Sequence, residues 1–473
     1  MNIARSSLKL FLANIANAGI QFIGIVYFAR ILGSTQMGIF FLFQVVLGLL
    51  TIPADFGVRG AVKKRISEGK FQGEYLSSAI AFKLLPISVI ILCILLVRSY
   101  LENYIGTAVA VPLIIALLLQ EALKLSTAVL SGELRVGETA ILKVTRNTTW
   151  VLVGSVLIAY GLEADAIIYG LVAGMGVSAL WGWYKVSIPL KEPSLIYIRS
   201  LFDYSKYSFI SSVGGYLYNW TDVAIIGLFL TQAAVGAYEI AWRVSAISLL
   251  FSRAIASTIF PQVSEWEAND AQEHIEGLIT RSITPSLFLV IPAFFGTVLF
   301  SEEILSIVFD EEYTIAASVL ILLMGDKVFQ AVHLIIGKSL QAINKPDLAA
   351  RAAIASLIVN IGLNIIFVLQ FGIIGAAFAT VISSLLNDLL HFLYLRRFIS
   401  VSFPKREMTE CVLASGIMGV ILYGFTITYT IQNLPELTFV VLLGIIIYTC
   451  TVLLMPNLRF RIYKAIDRIG ILP

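Results

Sequence analysis

Five ionisable side chains lie inside long apolar stretches: Lys83, Asp222, Glu239, Arg243 and Arg253. An Arg, Lys or Asp at the centre of a membrane helix costs roughly 2.5–3.5 kcal/mol on insertion scales, so each needs a partner or a purpose. Glu239 and Arg243 are spaced i,i+4 in the favourable acid-before-base order, which permits a neutralised pair. Glu121 with Lys124, and Asp326 with Lys327, read as further pairs. Arg253 has no partner on its own helix, and Lys83 reads as an isolated cation. Cations facing a polar cavity would suit a phosphate or diphosphate group, because Arg supplies a planar fork of donors and Lys a compact point charge. Arg243, Arg253, Lys83 and Asn219 are the candidate contacts to such a head group. Asp222 and Glu239 are candidate carboxylates for Na⁺ or a proton, so coupling to either ion is open.

Polar residues recur at helical spacing, which places each set on one face. Asn14, Asn17 and Gln21 form one stripe, and Ser212, Asn219 and Asp222 another. Further stripes are Gln44, Thr51 and Asp55; Asp326, Gln330 and His333; Ser356, Asn360 and Asn364; and Ser384, Asn387, Asp388 and His391. A single Asn or Ser inside a bundle is usually interhelical glue worth about 1 kcal/mol. Stripes on the leading helices of both halves instead favour a cavity lined by Asn14, Asn17, Gln21, Gln44, Asn360, Asn364 and Asp388. His333 and His391 could titrate near neutral pH, and a hydrogen-bonded helix contact is the plainer role.

The elements that hold these residues follow from composition. The chain is 58% hydrophobic and 13% charged, with mean hydropathy +0.90. Soluble domains carry roughly 25% charged residues, so most of this chain belongs in lipid. Apolar runs near the length that a bilayer core of about 30 Å requires recur from end to end. The sequence predicts an all-α polytopic membrane protein of about 14 spans between residues 8 and 455. Placing the N-terminus in the cytoplasm puts nearly all Lys and Arg on the inner side, from Arg59–Lys70 through Lys185–Lys206 to Arg459–Arg468. Only Arg30 and Arg98 fall in outer loops, which instead hold Glu102, Glu163, Asp165, Asp310, Glu311 and Glu436. Both termini are then cytoplasmic and the chain is a multi-pass protein of the plasma membrane. The net charge of +3 reflects inner loops rather than nucleic-acid binding. Cys93, Cys411 and Cys450 are unclustered within spans, so neither a disulfide framework nor a metal site follows. Gly337-Lys338-Ser339 lacks the earlier glycine of a phosphate loop, Val332 standing there. With no HExxH, CxxC or Ser-nucleophile pattern, the chain reads as a non-enzyme needing no cofactor.

The chain also repeats itself. Leu32, Gly38 and Phe40 have an echo in Leu230, Gly236 and Tyr238, at an offset of 198 residues. Segments 131–172 and 340–381 form a second related pair, each with a polar inner turn and then two apolar helices joined at Gly161 or Gly372. An even number of spans per copy gives a parallel repeat about an axis along the membrane normal. The predicted organisation is a six-helix lobe over 1–190, a second over 191–400, and two additional helices with a basic tail over 401–473.

In Ala29-Arg30-Ile31-Leu32-Gly33 with Gly38-Ile39-Phe40, Ala54-Asp55-Phe56-Gly57, Asp222 through Gly227, Val235-Gly236-Ala237-Tyr238 and Asn344-Lys345-Pro346, the chain resembles the Wzx-like polysaccharide transporters of the multidrug/oligosaccharidyl-lipid/polysaccharide exporter superfamily. The resemblance covers nearly the whole chain. It implies a V-shaped pair of six-helix lobes plus two helices, and alternating access that carries a lipid-linked oligosaccharide from the cytoplasmic to the outer leaflet. Glycosyltransferases or a polymerase of the same pathway are the partners it implies, and the oligomeric state is open. A drug/cation antiporter of the same superfamily is the competing reading; it would usually have twelve spans and an acidic cavity. A membrane glycosyltransferase or polymerase would need a larger outer loop than the turn around Asp310-Glu311-Glu312, and a nontransporting scaffold gives no reason for the polar stripes. The charge asymmetry makes one direct prediction. In a background without native cysteines, Lys70→Cys resists an impermeant maleimide in intact cells while Glu436→Cys reacts; the reverse pattern would overturn the orientation.

Overall fold

A computed structural model describes the backbone of residues 3–469; the side chains of residues 3–15, 207, 208, 210–219, 462 and 465–469 lie outside the description. Among the described residues the regular structure is helical throughout, as the apolar runs require: in lipid a helix satisfies its own backbone polar groups. By contact the chain forms two compact units, Met1–Gly236 and Ala237–Pro473.

The first unit contains α1 (Ile3–Asp55), α2 (Val58–Ser67), α3 (Gln72–Leu96), α4 (Arg98–Ile105), α5 (Ala110–Gly132), α6 (Val136–Ala159), α7 (Ala164–Lys185) and α8 (Leu195–Phe229). Its inner core joins Val58, Val62 and Ile66 of α2 to Leu76 of α3, Val129 of α5 and Leu201 of α8. Because α8 packs on α1, α2 and α3, the unit extends well past residue 190. At the other end of α6, Trp150 stacks on Phe40 with ring centroids 5.5 Å apart, and its indole N–H donates to the Ile167 carbonyl at 3.1 Å.

Helix α9 (Gln232–Ile247) begins at the end of the first unit. The second continues with α10 (Leu250–Ala268), α11 (Gln272–Leu287), α12 (Val290–Val308), α13 (Ala317–Ala342), α14 (Pro346–Leu395), α15 (Lys405–Thr428), α16 (Leu434–Leu454) and α17 (Pro456–Ile469). The last two long helices pack on α12, where Cys411 and Met418 of α15 and Val440 and Tyr448 of α16 share a core with Val290 and Phe300. Asn433 and Glu436 start α16 with a reciprocal cap: Glu436 N–H donates to Asn433 Oδ1 at 3.0 Å, and Glu436 accepts from Gln432 N–H at 2.8 Å. The Glu410 carboxylate accepts from Leu458 N–H at 2.9 Å at the start of α17, a favourable place for negative charge.

The apolar runs read from the sequence fall on helices among the described residues, which leave the count of 14 crossings unconfirmed. By length and apolarity, nine described stretches can cross a bilayer, or ten when α9 and α10, bent by 54° at their junction, count as one crossing. The two longest of the nine, Ala16–Asp55 with 40 residues and Pro346–Leu395 with 50, hold enough residues for two crossings of roughly 20 each. Each breaks at a glycine with positive φ, Gly33 (76°) and Gly372 (61°). Helix α6 falls short of the same apolarity because Lys143, Arg146 and Asn147 interrupt it.

Both repeats have a structural counterpart. The inner turn after α5 puts Leu134 at φ 62° and closes with Arg135 N–H donating to the Leu130 carbonyl; after α13, Asn344 has φ 58° and Lys345 N–H donates to Leu340. Gly161 and Gly372 take positive φ at the matching outer breaks. The 198-residue echo becomes a reciprocal crossing inside the first unit. A Cβ on Gly38 would overlap the Gln232 carbonyl, and one on Gly236 would overlap the Ser34 carbonyl. Ser34 and Gln232 are themselves equivalent under the offset, so the two contacts are one contact made twice. Gly38→Ala and Gly236→Ala should each lower the melting temperature of the detergent-solubilised chain, on the about 1–3 kcal/mol scale of overpacking. Gly137→Ala, where the added carbon meets nothing within 4 Å, should leave it unchanged or raised. Equal melting of all three would sink the close-crossing account.

Candidate functional site

In the first unit the buried charges form a chain across three helices. Lys83 of α3 donates to Asp55 of α1 at 2.9 Å and to Glu121 of α5 at 2.6 Å. Asp55 also holds Arg59 of α2, one turn on, at 2.9 Å. Lys83, Asp55 and Glu121 are all buried, so none can rely on water. Two sequence expectations are corrected here. Lys83 is not an isolated cation, because the helix packing brings two carboxylates to it from segments far apart in sequence. Glu121 does not pair with Lys124 on its own helix, because its Oε2 is taken by Lys83. A cation held between two carboxylates from other helices ties three helices together.

Freed of Glu121, Lys124 lines a cavity of 440 Å³ between α2, α5 and α6. Arg59 and Lys63 come from α2, Lys143 and Arg146 from α6, and Asp55 is the carboxylate among the lining residues. Thr127 and Ser131 also line it, but their hydroxyls donate to backbone carbonyls of their own helix at 2.8 Å each. The donors left facing the space are therefore cationic. Asn147, next to Arg146, accepts from the Arg146 Nε–H at 3.2 Å and donates to Asn17 Oδ1 at 3.0 Å, which fixes the base of that guanidinium against the first span. Sequence reasoning counted these basic residues as marks of orientation and missed their convergence. The available signal was a lysine in mid-span at 124, with Lys143 and Arg146 one turn apart on the following helix.

In the second unit, the polar stripes on α13 and α14 meet. Asp326 is buried against Lys327 at 3.0 Å and accepts from Gln330 Nε2 at 2.8 Å. His333 Nδ1 approaches Asp388 Oδ1 at 2.9 Å, and its ring packs edge-on against His391 at 4.5 Å. Ser356 Oγ donates to the Ser383 carbonyl at 2.6 Å, Asn360 Nδ2 to Ser383 Oγ at 3.1 Å, and Asn364 Nδ2 to the Asn360 carbonyl at 3.1 Å. For Asn360 this bond joins the two arms of α14 on either side of Gly372, the glue of the plainer reading, whereas Asn364 bonds back within its own arm.

Glu239 and Arg243 form their i,i+4 pair at 2.8 Å. Arg253 is exposed on α10 and forms no ion pair among the described residues. Asp222 is buried on α8 beside Thr221, while Gln21 and Gln44 are partly buried on α1. The side chains of Asn14, Ser212 and Asn219 lie outside the described residues. The ion chain has a measurable consequence. Lys83→Met strands the Glu121 carboxylate and should destabilise the chain by about 3–5 kcal/mol, while adding Glu121→Leu should restore most of that loss. Wild-type melting of the single variant would mean that the chain of charges is not structural.

The fold and sequence have recognisable relatives. The sequence matches the family described as "Polysaccharide biosynthesis protein" over residues 27–318 and "Lipid II flippase MurJ" over 203–449. It is 54% identical over 99% of both chains to "Probable low-salt glycan biosynthesis flippase Agl15" of Haloferax volcanii. It is 28% identical over 98% of each to "Probable flippase AglR" of the same organism. Its fold resembles a structure of "Lipid II flippase MurJ, inward closed conformation" at TM-score 0.80 and 18% identity, covering 94% of this chain and 98% of that one. An inward-facing multidrug-resistance MATE transporter aligns at TM-score 0.68 and 16% identity, over 81% of this chain and 94% of that one. The chain belongs to the polysaccharide biosynthesis protein family, the Wzx-like flippases of the multidrug/oligosaccharidyl-lipid/polysaccharide exporter superfamily.

Proposed function

We propose that this chain is a flippase for a lipid-linked oligosaccharide, moving it from the cytoplasmic to the outer leaflet for glycan assembly. The observation that carries the reading is the 54% identity to a glycan-biosynthesis flippase over 99% of both chains. At that likeness and coverage the two share a whole architecture rather than a motif. The polar and charged residues described above supply the physical need. A polyprenyl tail can stay in lipid, whereas a sugar-phosphate head must be kept hydrated or hydrogen-bonded while it crosses. The cation-lined cavity suits an anionic head and is unfavourable for the cationic compounds a drug antiporter would carry.

On this reading the protein is a transporter rather than a catalyst, and both termini lie in the cytoplasm. Asp222 and Glu239 are the carboxylates proposed to bind Na⁺ or a proton in the coupling step, since both are buried in apolar helices. Arg243 and Arg253 are the proposed head-group contacts of the second unit. Glycosyltransferases or a polymerase of the same pathway are the proposed partners.

The test is a leaflet-sidedness assay in reconstituted vesicles with labelled polyprenyl-diphosphate oligosaccharide. Protein-dependent loss of label from one leaflet is expected, faster under an imposed Na⁺ or proton gradient. Absence of translocation with every donor tried would falsify the flippase reading. Arg243→Ala and Arg253→Ala should slow transport about tenfold or more if each loses a charge-assisted hydrogen bond. Unchanged rates in both, at normal membrane levels, would remove them from the site.

A further inference from the structure

We infer that the cavity between α2, α5 and α6 is a binding site for a phosphate or diphosphate anion, with Lys124 and Arg146 as its inner contacts and Lys63 and Lys143 at its rim. The inference rests on the flippase reading only for the source of that anion; the site itself rests on geometry. Five basic side chains line the cavity, against the one carboxylate of Asp55. That carboxylate is already shared between Arg59 and Lys83, so it neutralises little else. Lys63, Lys124, Lys143 and Arg146 form no ion pair among the described residues. Like charges gathered in one concavity repel each other, and more strongly where the walls exclude water. A bound anion converts that repulsion into attraction.

The details favour phosphate chemistry over a simple carboxylate. Lys63 and Lys143 are exposed, whereas Lys124 and Arg146 are half-buried, which grades the site from solvent to interior. An ammonium and a guanidinium on separate helices can engage different oxygens of one multivalent anion. The volume of 440 Å³ lies within the roughly 300–1,000 Å³ of small-molecule sites and has room for a diphosphate with part of an attached sugar. Its basic residues belong to the side that charge asymmetry assigns to the cytoplasm. The site is therefore placed to take the head group of a phosphorylated polyisoprenoid before it crosses.

The purified full-length chain in detergent can be titrated with inorganic pyrophosphate, inorganic phosphate and an unlabelled polyisoprenyl diphosphate. Lys63→Ala with Lys143→Ala removes the exposed rim without disturbing the core. Lys124→Gln and Arg146→Gln test the interior. Lys64→Ala is the control, because Lys64 sits over the Tyr204 ring at 4.9 Å and does not line the cavity. The expected result is pyrophosphate binding that weakens about tenfold or more in the rim double variant and in each interior variant, and is unchanged in the control. Competition between pyrophosphate and the polyisoprenyl compound identifies the lipid head group as the source. Binding of pyrophosphate without any effect of the lipid keeps the anion site and overturns its assignment to the substrate. No binding, or equal affinity in all variants, overturns the site. Failed translocation with binding intact counts against the flippase reading alone, and full translocation in variants that no longer bind overturns the site's part in transport.

Discussion

Everything in the first unit turns on where Lys83 puts its charge. An ammonium buried among membrane helices must be matched nearby, because neither lipid nor a protein core solvates it. Asp55 and Glu121 do this from two other helices, so α1, α3 and α5 are held in one register by a single side chain. Repositioning any one of the three would leave an unmatched ion. The same match decides the state of the neighbours: with Glu121 engaged by Lys83, Lys124 has no acid of its own and turns its charge to the cavity. The neutral chain and the cationic cavity are two sides of one arrangement.

The second unit handles polarity differently. Many of its buried groups are amides and hydroxyls, bonded between the two arms of α14 or within one helix. Each such bond is worth about 1 kcal/mol, so the network fixes helix rotation through many small terms rather than one large one. The Glu239–Arg243 pair is local to a single turn and constrains no second helix by itself. The buried ion chain that joins three helices lies in the first unit, although the sequence draws attention to the denser set around Asp222–Arg253.

That contrast marks what can be read without a structure. Helical class, the joint at Gly372, the paired polar inner turns and the Glu239–Arg243 contact are local, so periodicity and spacing reveal them. The family is legible too, because it depends on the order of short motifs along the whole chain. Lys83 with Asp55 and Glu121 joins residues 28 and 38 positions apart, and no periodicity reports such a meeting. The cavity is harder still. Arg59, Lys63, Lys143 and Arg146 lie where topology demands positive charge anyway, so their second role is hidden beneath the first.

The crossing at Gly38 and Gly236 has an evolutionary reading. Residue 34 meets 236 and residue 38 meets 232, the pattern by which two identical chains meet across a twofold axis. A surface that satisfies this rule is complementary to its own copy. A half-length chain bearing one such glycine, with the same turn around it, could pair with its own copy through this contact.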